Sequence, residues 1–256
     1  MQVTKRDLEL FKKLSQYGML STGQIAKILF EGVAITTILR RLRLLEDSRY
    51  VQRVATLPSH EILWSVAEKG AIEGEVDLPK RHWSKNLLEH DYKLLSLRLL
   101  LEGSGVARSW TPEHEIRSLI FKKYGFRGMK DRVIPDALMG AKVNGQMKSI
   151  AIELELTLKN ETKLKKVLRH YREASDLYAV WYIVSKKSMM NQIHKIWNYY
   201  SFLSRGTKIF YSTLDELITN PAQVSAHHLS IQIENQNDCK NKLTEENHAP
   251  ILNIAS

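Results

Sequence analysis

The sequence predicts a protein of mixed α-helices and β-strands, with a small helical unit that ends in a hairpin and a larger unit around a mixed sheet. Apolar residues recur at helical spacing through the first 47 residues, and two strand-like runs follow. From residue 106 onward, strand-like segments alternate with helical ones, which is typical of a sheet flanked by helices. The composition, 43% hydrophobic and 26% charged, is that of a globular protein and excludes a wholly disordered, collagen-like or coiled-coil chain.

The first unit is predicted over residues 1–75, with helices at 4–17, 22–30 and 34–47 and strands at 50–55 and 62–66. The apolar stripe expected on its third helix consists of Ile35, Ile38, Leu39, Leu42 and Leu45. The opposite face of that helix carries Thr36, Thr37, Arg40, Arg41 and Arg43. Three helices with a Gly-containing turn and a hairpin resemble the winged helix-turn-helix, and a small helical domain with an incidental hairpin is the alternative. The resemblance implies that the basic face enters the major groove of duplex DNA, with Arg53 of the hairpin near the backbone.

The second unit is predicted over residues 76–221. Its expected elements are a helix at 86–101, strands at 106–110, 133–139 and 149–159, a helix at 161–174, a buried strand at 177–184, a helix at 189–203, a strand at 208–212 and a helix at 214–219. Asn144-Gly145 is a typical hairpin turn before the strand at 149–159. The polar sequence of residues 222–256 predicts a mobile tail.

Positive charge is concentrated in the second unit. The chain carries a net charge of +10, and residues 156–210 hold 11 Lys or Arg against three Asp or Glu. One basic cluster lies on the helix after residue 160 and consists of Lys163, Lys165, Lys166, Arg169 and Arg172. A second lies in a Gly-containing segment that is predicted to be a loop and consists of Lys122, Lys123, Arg127, Lys130 and Arg132. A solvated surface is the simpler interpretation, but this density favours contacts with nucleic-acid phosphates, above all by Lys163, Lys166 and Arg169. Tyr171 and the aromatic residues of 197–200 are expected to pack in the core.

Three carboxylates are predicted to meet on one face of the sheet. Side chains alternate along a strand, so Glu153, Glu155 and Lys159 project from the face opposite the isoleucines and leucines of 150–158. Asp136 lies at the start of the preceding strand. Two glutamates on one face repel each other, and either a divalent cation or Lys159 compensates them. Carboxylates of this kind suit Mg²⁺ (or Mn²⁺), although an isolated Glu-x-Glu is more often a solvated strand face.

The order of these motifs carries a resemblance. Helix, strand, Pro135-Asp136, hairpin, Glu153-x-Glu155, helix and buried strand are similar to the PD-(D/E)xK nuclease core, which belongs to the restriction-endonuclease-like fold. A winged helix before this core, with Glu-Leu-Glu-Leu-Thr-Leu-Lys before a basic helix, resembles the MobC-type relaxases of the replication-relaxation family over residues 4–215. The resemblance implies that Asp136 and the strand glutamates hold the metal and that a lysine orients the nucleophile. Here Glu155 stands where the simple motif has lysine, so either Asp136, Glu153 and Glu155 form the site or Lys159 supplies the lysine.

The resulting hypothesis is a cytoplasmic relaxase that binds double-stranded DNA at a plasmid transfer origin and nicks it by metal-assisted phosphodiester cleavage. Partners would be that DNA and an accessory mobilisation or coupling protein, with no membrane and no small-molecule cofactor. A single Cys239, no signal-peptide pattern and no apolar run of membrane-spanning length favour the cytoplasm. The alternative is a non-catalytic replication or transcription regulator whose nuclease-like core is only a scaffold.

Overall fold

The computed structural model describes residues 1–78, 84, 87–129, 132–203 and 205–220. The chain divides into two compact units, Met1–Glu89 and His90–Ser256, and has a mixed α+β architecture. The predicted tail at 222–256 lies outside the described residues. Within the described ranges, every helix is too short or too polar to cross a lipid bilayer.

The first unit combines short helices with a three-stranded antiparallel sheet of order β1-β3-β2. Its elements are α1 (Lys5–Tyr17), β1 (Leu20–Ser21), α2 (Thr22–Leu29), α3 (Ile35–Asp47), β2 (Val51–Thr56), β3 (Ile62–Val66) and α4 (Glu68–Glu73). Thr4 and Ser21 cap α1 and α2 in reciprocal capping boxes, which satisfy the free N–H groups of the first turns. Phe11, Leu42 and Trp64 lie in its core.

The apolar stripe of α3 is shorter than the sequence predicts. Ile38, Leu42 and Leu45 are buried, but Ile35 remains 46% exposed. Ile35 is the first residue of the helix, and the stripe that packs against the core begins one turn later. The hydroxyl and basic residues on the remaining faces of α3 are described with the site below.

The second unit is built on a five-stranded mixed sheet of order β4-β5-β6-β7-β8. Its elements are α5 (Leu88–Gly103), β4 (Ser109–Pro112), α6 (Glu113–Met129), β5 (Ala137–Val143), β6 (Gln146–Glu155), α7 (Glu161–Glu173), β7 (Ala179–Val184), α8 (Lys187–Tyr199), β8 (Lys208–Thr213) and α9 (Leu214–Thr219), with a 3₁₀ turn at Ser201–Leu203. The β4-β5 and β5-β6 pairs are antiparallel, whereas β6-β7 and β7-β8 are parallel. The central place of β6 explains its apolar sequence, because a strand with neighbours on both sides and helices on both faces is buried.

Helices cover both faces of this sheet. Ile150, Ile152 and Leu154 of β6 belong to the core on the face of α5. Ala151 points to the other face, where buried residues of α6, α7 and α8 pack. Glu153 and Glu155 share the face of Ala151, as the alternation along the strand predicts.

Residues 113–129 form a helix, so the expectation of a loop is wrong for Lys122, Lys123 and Arg127. Ile116 and Ile120 are spaced one helical turn apart, and both are buried against the sheet. Two glycines near its end obscured this pattern, and the helix is interrupted at Gly125, whose φ of 67° is left-handed. Lys122, Lys123 and Arg127 are therefore helical residues, while Lys130 lies outside the described residues.

Candidate active site

The sheet register brings the predicted carboxylates together. Ala137 pairs with Ile152 in the antiparallel β5-β6 ladder, so one further pair sets Asp136 opposite Glu153. Asp136 lies directly before β5 rather than within it. On the other side of β6, Glu153 is in register with Tyr182 of β7. Asp136, Glu153 and Tyr182 thus follow one line across the sheet.

Lys159 reaches the glutamates from outside the strand. β6 ends at Glu155, four residues earlier than predicted, because the chain must leave the sheet before Asn160 caps α7. The long side chain of Lys159 nevertheless returns to the site, where its Nζ lies 3.1 Å from Oε2 of Glu153. The same ammonium contacts Oε1 of Glu155. One lysine therefore pairs with both strand glutamates.

Asp136 is held by the backbone of β6 and by a histidine. The N–H of Leu154 donates a hydrogen bond of 2.7 Å to Oδ2 of Asp136. Nε2 of His90, near the start of α5, lies 3.1 Å from the carbonyl oxygen of Leu154 and 3.4 Å from Oδ2 of Asp136. Burial opposes a charge on His90, but Asp136 and Asp91 outweigh it and raise the His90 pKa to about 10. His90 is a cation beside Asp136 at neutral pH.

Two buried tyrosines line the glutamate side of the cluster. The hydroxyl of Tyr171 in α7 donates a hydrogen bond to Oε1 of Glu153 over 2.5 Å. Burial and the neighbouring Glu153 raise the pKa of Tyr171 well above its ordinary value, so it stays a hydrogen-bond donor. The hydroxyl of Tyr182 is also buried and has no hydrogen-bond partner among the described residues. Tyr171 is therefore more than the packing residue that the sequence predicts.

Burial sets the electrostatics of both glutamates. It raises the pKa of Glu153, an effect that Lys159 opposes, Asp136 reinforces and the Tyr171 hydrogen bond opposes. Burial also raises the pKa of Glu155 against the opposing charge of Lys159. The two glutamates in turn outweigh burial and raise the pKa of Lys159. Both glutamates are therefore buried, and the ammonium of Lys159 is the cation that pairs with them.

The donor chemistry of this cluster fits a hard divalent cation. Carboxylate oxygens are the ligands that Mg²⁺ prefers. The negative charge of Asp136 repels those of the two glutamates and so raises their pKa, and a bound cation would relieve this repulsion. Across the described ranges, however, no group of three or more His, Cys, Asp or Glu side chains is already arranged to hold a metal ion. Lys159 contacts both glutamates instead. A metal ion at this place therefore requires Lys159 to release at least one of them.

No family model, no curated protein and no solved structure matches the chain. The geometry of the described residues is therefore the basis for function. It brings together Asp136, Glu153, Glu155 and Lys159, the four residues predicted to be catalytic.

The predicted DNA-binding residues of the first unit differ in their partners. Thr36, Thr37, Arg40 and Arg43 are exposed on α3. Arg41 instead faces α1, where its Nε donates to Oδ1 of the buried Asp7 over 3.0 Å and its guanidinium also binds the carbonyl of Gln2. This placement gives Arg41 a structural partner inside the unit.

The remaining predicted contacts lie on two surfaces. Arg53 of β2 pairs with Glu46 over 3.2 Å, and its guanidinium lies over the ring of Trp64. On α7, Lys163 and Lys166 are exposed, and Arg169 pairs with Glu173 over 3.0 Å. Exposed ion pairs of this kind are weak, so Arg53 and Arg169 can exchange their partner for a phosphate at small cost.

Sequence reasoning missed the hydrogen bond from Tyr171 to Glu153. Tyr171 follows Leu164 and Leu168 at helical spacing, and that signal identifies it as a residue of the sheet-facing side of α7. Because the strand glutamates project to that same face, the two patterns together predict the contact. His90, on the helix before the sheet, is a residue that the sequence offers as a further metal ligand or as support for the ligands, with a structural or surface role as the simpler interpretation. The structure places it beside Asp136.

Proposed function

We propose that this protein is a metal-dependent DNA endonuclease that nicks duplex DNA at a site chosen by its first unit. The single observation that supports this most strongly is the convergence of Asp136, Glu153, Glu155 and Lys159 at the end of β6. Buried carboxylates with raised pKa values are costly to stability, and such groups are concentrated at functional sites. The resemblance to MobC-type relaxases extends the proposal to a plasmid transfer origin.

Each residue of the cluster has a separate role in the proposed cleavage. When bound, Mg²⁺ supplies a Lewis acid for the phosphate and a water of lowered pKa. Asp136 and the glutamates offer the oxygen ligands, and His90 together with the Leu154 N–H fixes the carboxylate of Asp136. Tyr171 holds the Glu153 carboxylate in one orientation. Lys159, once released from a glutamate, orients the attacking water and neutralises charge on the scissile phosphate.

We assign recognition of the DNA site to the first unit. Its order of elements, α1, β1, α2, α3 and the β2-β3 hairpin, is similar to that of a winged helix-turn-helix and supports this part of the proposal. Thr36, Arg40 and Arg43 are exposed on α3. We assign α3 to the major groove and Arg53 of the hairpin to the neighbouring backbone.

One observation favours the alternative of a non-catalytic DNA-binding regulator. Lys159 bridges Glu153 and Glu155, and such a bridge compensates the glutamates without a metal ion. In that case the cluster stabilises a scaffold, and DNA binding by the first unit is the whole activity.

A nicking assay separates the two functions. The substrate is a supercoiled plasmid that carries the DNA flanking this chain's coding sequence, incubated with Mg²⁺ or with EDTA. We expect wild-type protein to convert it to the open circle only with Mg²⁺, and Asp136→Asn to lose this product. The asparagine keeps an acceptor for the Leu154 N–H, so the variant tests charge rather than folding. Asp215→Asn, at an exposed aspartate of the same unit, is the control.

The outcome that contradicts nuclease activity is equally definite. If wild-type and Asp136→Asn proteins give the same plasmid profile with Mg²⁺, the cluster does not cleave DNA. Specific and salt-dependent binding of the same DNA would then support the regulator. Loss of binding for Arg40→Ala in both cases assigns site recognition to α3.

A further inference from the structure

The end of α8 and the turn after it expose a group of aromatic rings, although the sequence predicts the aromatic residues of 197–200 to be buried. Trp197 is buried as expected, but Tyr199 is 70% exposed and Phe202 is 76% exposed. The ring of Tyr200 lies between them, 5.0 Å from that of Tyr199 and 6.4 Å from that of Phe202. Exposed apolar groups are common singly, whereas adjacent exposed rings indicate a binding surface.

Cations adjoin these rings. Lys165 is exposed on α7, a helix that packs against α8 and against the turn at Ser201–Leu203, and it pairs with Glu161 over 2.7 Å. Lys195 is exposed one helical turn before Tyr199, on the same side of α8. We call the set of Tyr199, Tyr200, Phe202, Lys165 and Lys195 the aromatic–basic surface.

The two kinds of group on this surface match the two parts of an unpaired nucleic-acid strand. Exposed aromatic rings stack on the faces of bases, and lysines bind the phosphates between them. Duplex DNA cannot use the rings, because its bases are already stacked and paired. A purely apolar partner gains nothing from the lysines, so the combination favours a single strand.

We propose that the aromatic–basic surface binds single-stranded DNA through base stacking on Tyr199 and Phe202 and phosphate contacts to Lys165 and Lys195. This inference rests on the proposed function, which it deepens by adding a site for an unpaired strand in the unit that holds the carboxylate cluster. α7 joins the two places, since Tyr171 reaches Glu153 while Arg172 lies over the ring of Trp197.

The test is a binding titration in EDTA with a fluorescein-labelled oligothymidylate of about 20 nucleotides, in which fluorescence anisotropy reports the bound fraction. We expect Tyr199→Ala with Phe202→Ala to weaken binding about tenfold or more, because each lost ring removes a stacked base. Tyr199→Phe with Phe202→Tyr keeps both rings and should bind within about twofold of wild type. Lys165→Gln with Lys195→Gln should lower the salt dependence of binding.

Controls separate this surface from the rest of the molecule. Ile218→Ala removes another exposed apolar side chain, 61% exposed on α9 beside acidic residues, and should leave the affinity unchanged. Circular dichroism confirms that each variant is folded. An unchanged affinity of the folded double alanine variant overturns the inference, as does equal competition by polyglutamate, which indicates an acidic protein partner instead.

The result does not depend on cleavage. Because EDTA is present, an inactive carboxylate cluster leaves the single-strand titration intact. Conversely, if the protein nicks plasmids but the ring variants bind the single strand like wild type, the proposed nuclease function stands and the proposed single-strand site is wrong.

Discussion

The hydroxyl of Tyr171 donates a hydrogen bond to the buried carboxylate of Glu153. The bond joins α7 to the central strand on the face where all three acidic residues of the cluster lie. It also lowers the pKa of a glutamate whose charge is opposed by burial. Tyr171 therefore acts on the site through Glu153, as a positioning residue.

Replacing Tyr171 with phenylalanine should destabilise the second unit by about 1–3 kcal/mol, because Oε1 of Glu153 is then buried without its donor. The measurement is urea-dependent hydrogen exchange of the β6 and α7 peptides in EDTA. Tyr182→Phe is the matched control: its hydroxyl is buried without a partner among the described residues, so its loss should cost less than about 0.5 kcal/mol. Equal losses from both substitutions would show that the Tyr171 hydrogen bond contributes nothing.

Lys159 and a metal ion should compete for the same glutamates. Lys159→Met leaves Glu153 and Glu155 without their shared cation, so Mn²⁺ should bind the variant several-fold more tightly while plasmid nicking falls by about 100-fold or more. Isothermal titration with Mn²⁺ gives the affinity, and Lys163→Met, an exposed lysine of α7, is the control. Weaker Mn²⁺ binding to Lys159→Met than to wild type would show that the ammonium of Lys159 does not compete with the metal ion for the glutamates.

The raised pKa of Glu153 has a consequence for the stability of the metal-free protein. A carboxyl group that binds its proton more tightly when folded favours folding below its unfolded pKa, and this contribution is lost as the pH rises. The free energy of unfolding of Glu153→Gln, relative to wild type, should therefore increase as the pH is raised above 4.5. Thermal melts in EDTA between pH 4 and pH 8 measure it, with Glu173→Gln as the control. A difference that stays constant or shrinks with pH would contradict the burial effect.

Arg40 and Arg41 are neighbours on α3, and we expect their substitution by alanine to affect different properties, DNA binding for Arg40 and stability for Arg41. Arg41→Ala leaves the buried Asp7 without its guanidinium, which should destabilise the first unit by about 3–5 kcal/mol. Because this pair lowers the pKa of Asp7, its contribution is present above pH 3.8 and is lost as the pH falls. Arg40→Ala should leave stability unchanged and weaken duplex binding by about 1–3 kcal/mol.

Two measurements check the arginine pair. Hydrogen exchange of the α1 and α3 peptides in the full chain reports stability, and fluorescence anisotropy with a duplex reports binding. A stable Arg41→Ala variant that has lost DNA binding would place Arg41 at the DNA instead of at Asp7.

The sequence by itself determined much of the fold and the membership of the candidate site. The alternation along 149–155 was enough to place Glu153 and Glu155 on one face, because side-chain direction in a strand is a local property. Asn144-Gly145 set the hairpin between β5 and β6, and with it the register that carries Asp136 to Glu153. Apolar spacing located α1, α3, α7 and α8, whose stripes are clear.

The tertiary structure decided what the chosen residues touch. The return of Lys159 to both glutamates from beyond the strand, the contact of His90 with Asp136 and the turn of Arg41 toward Asp7 all join segments whose separation is not encoded locally. The same holds for Tyr199, whose place at the end of α8 leaves it in solvent while Trp197 is buried. Such contacts depend on how far each element extends before it turns, and that is set by packing across the whole unit.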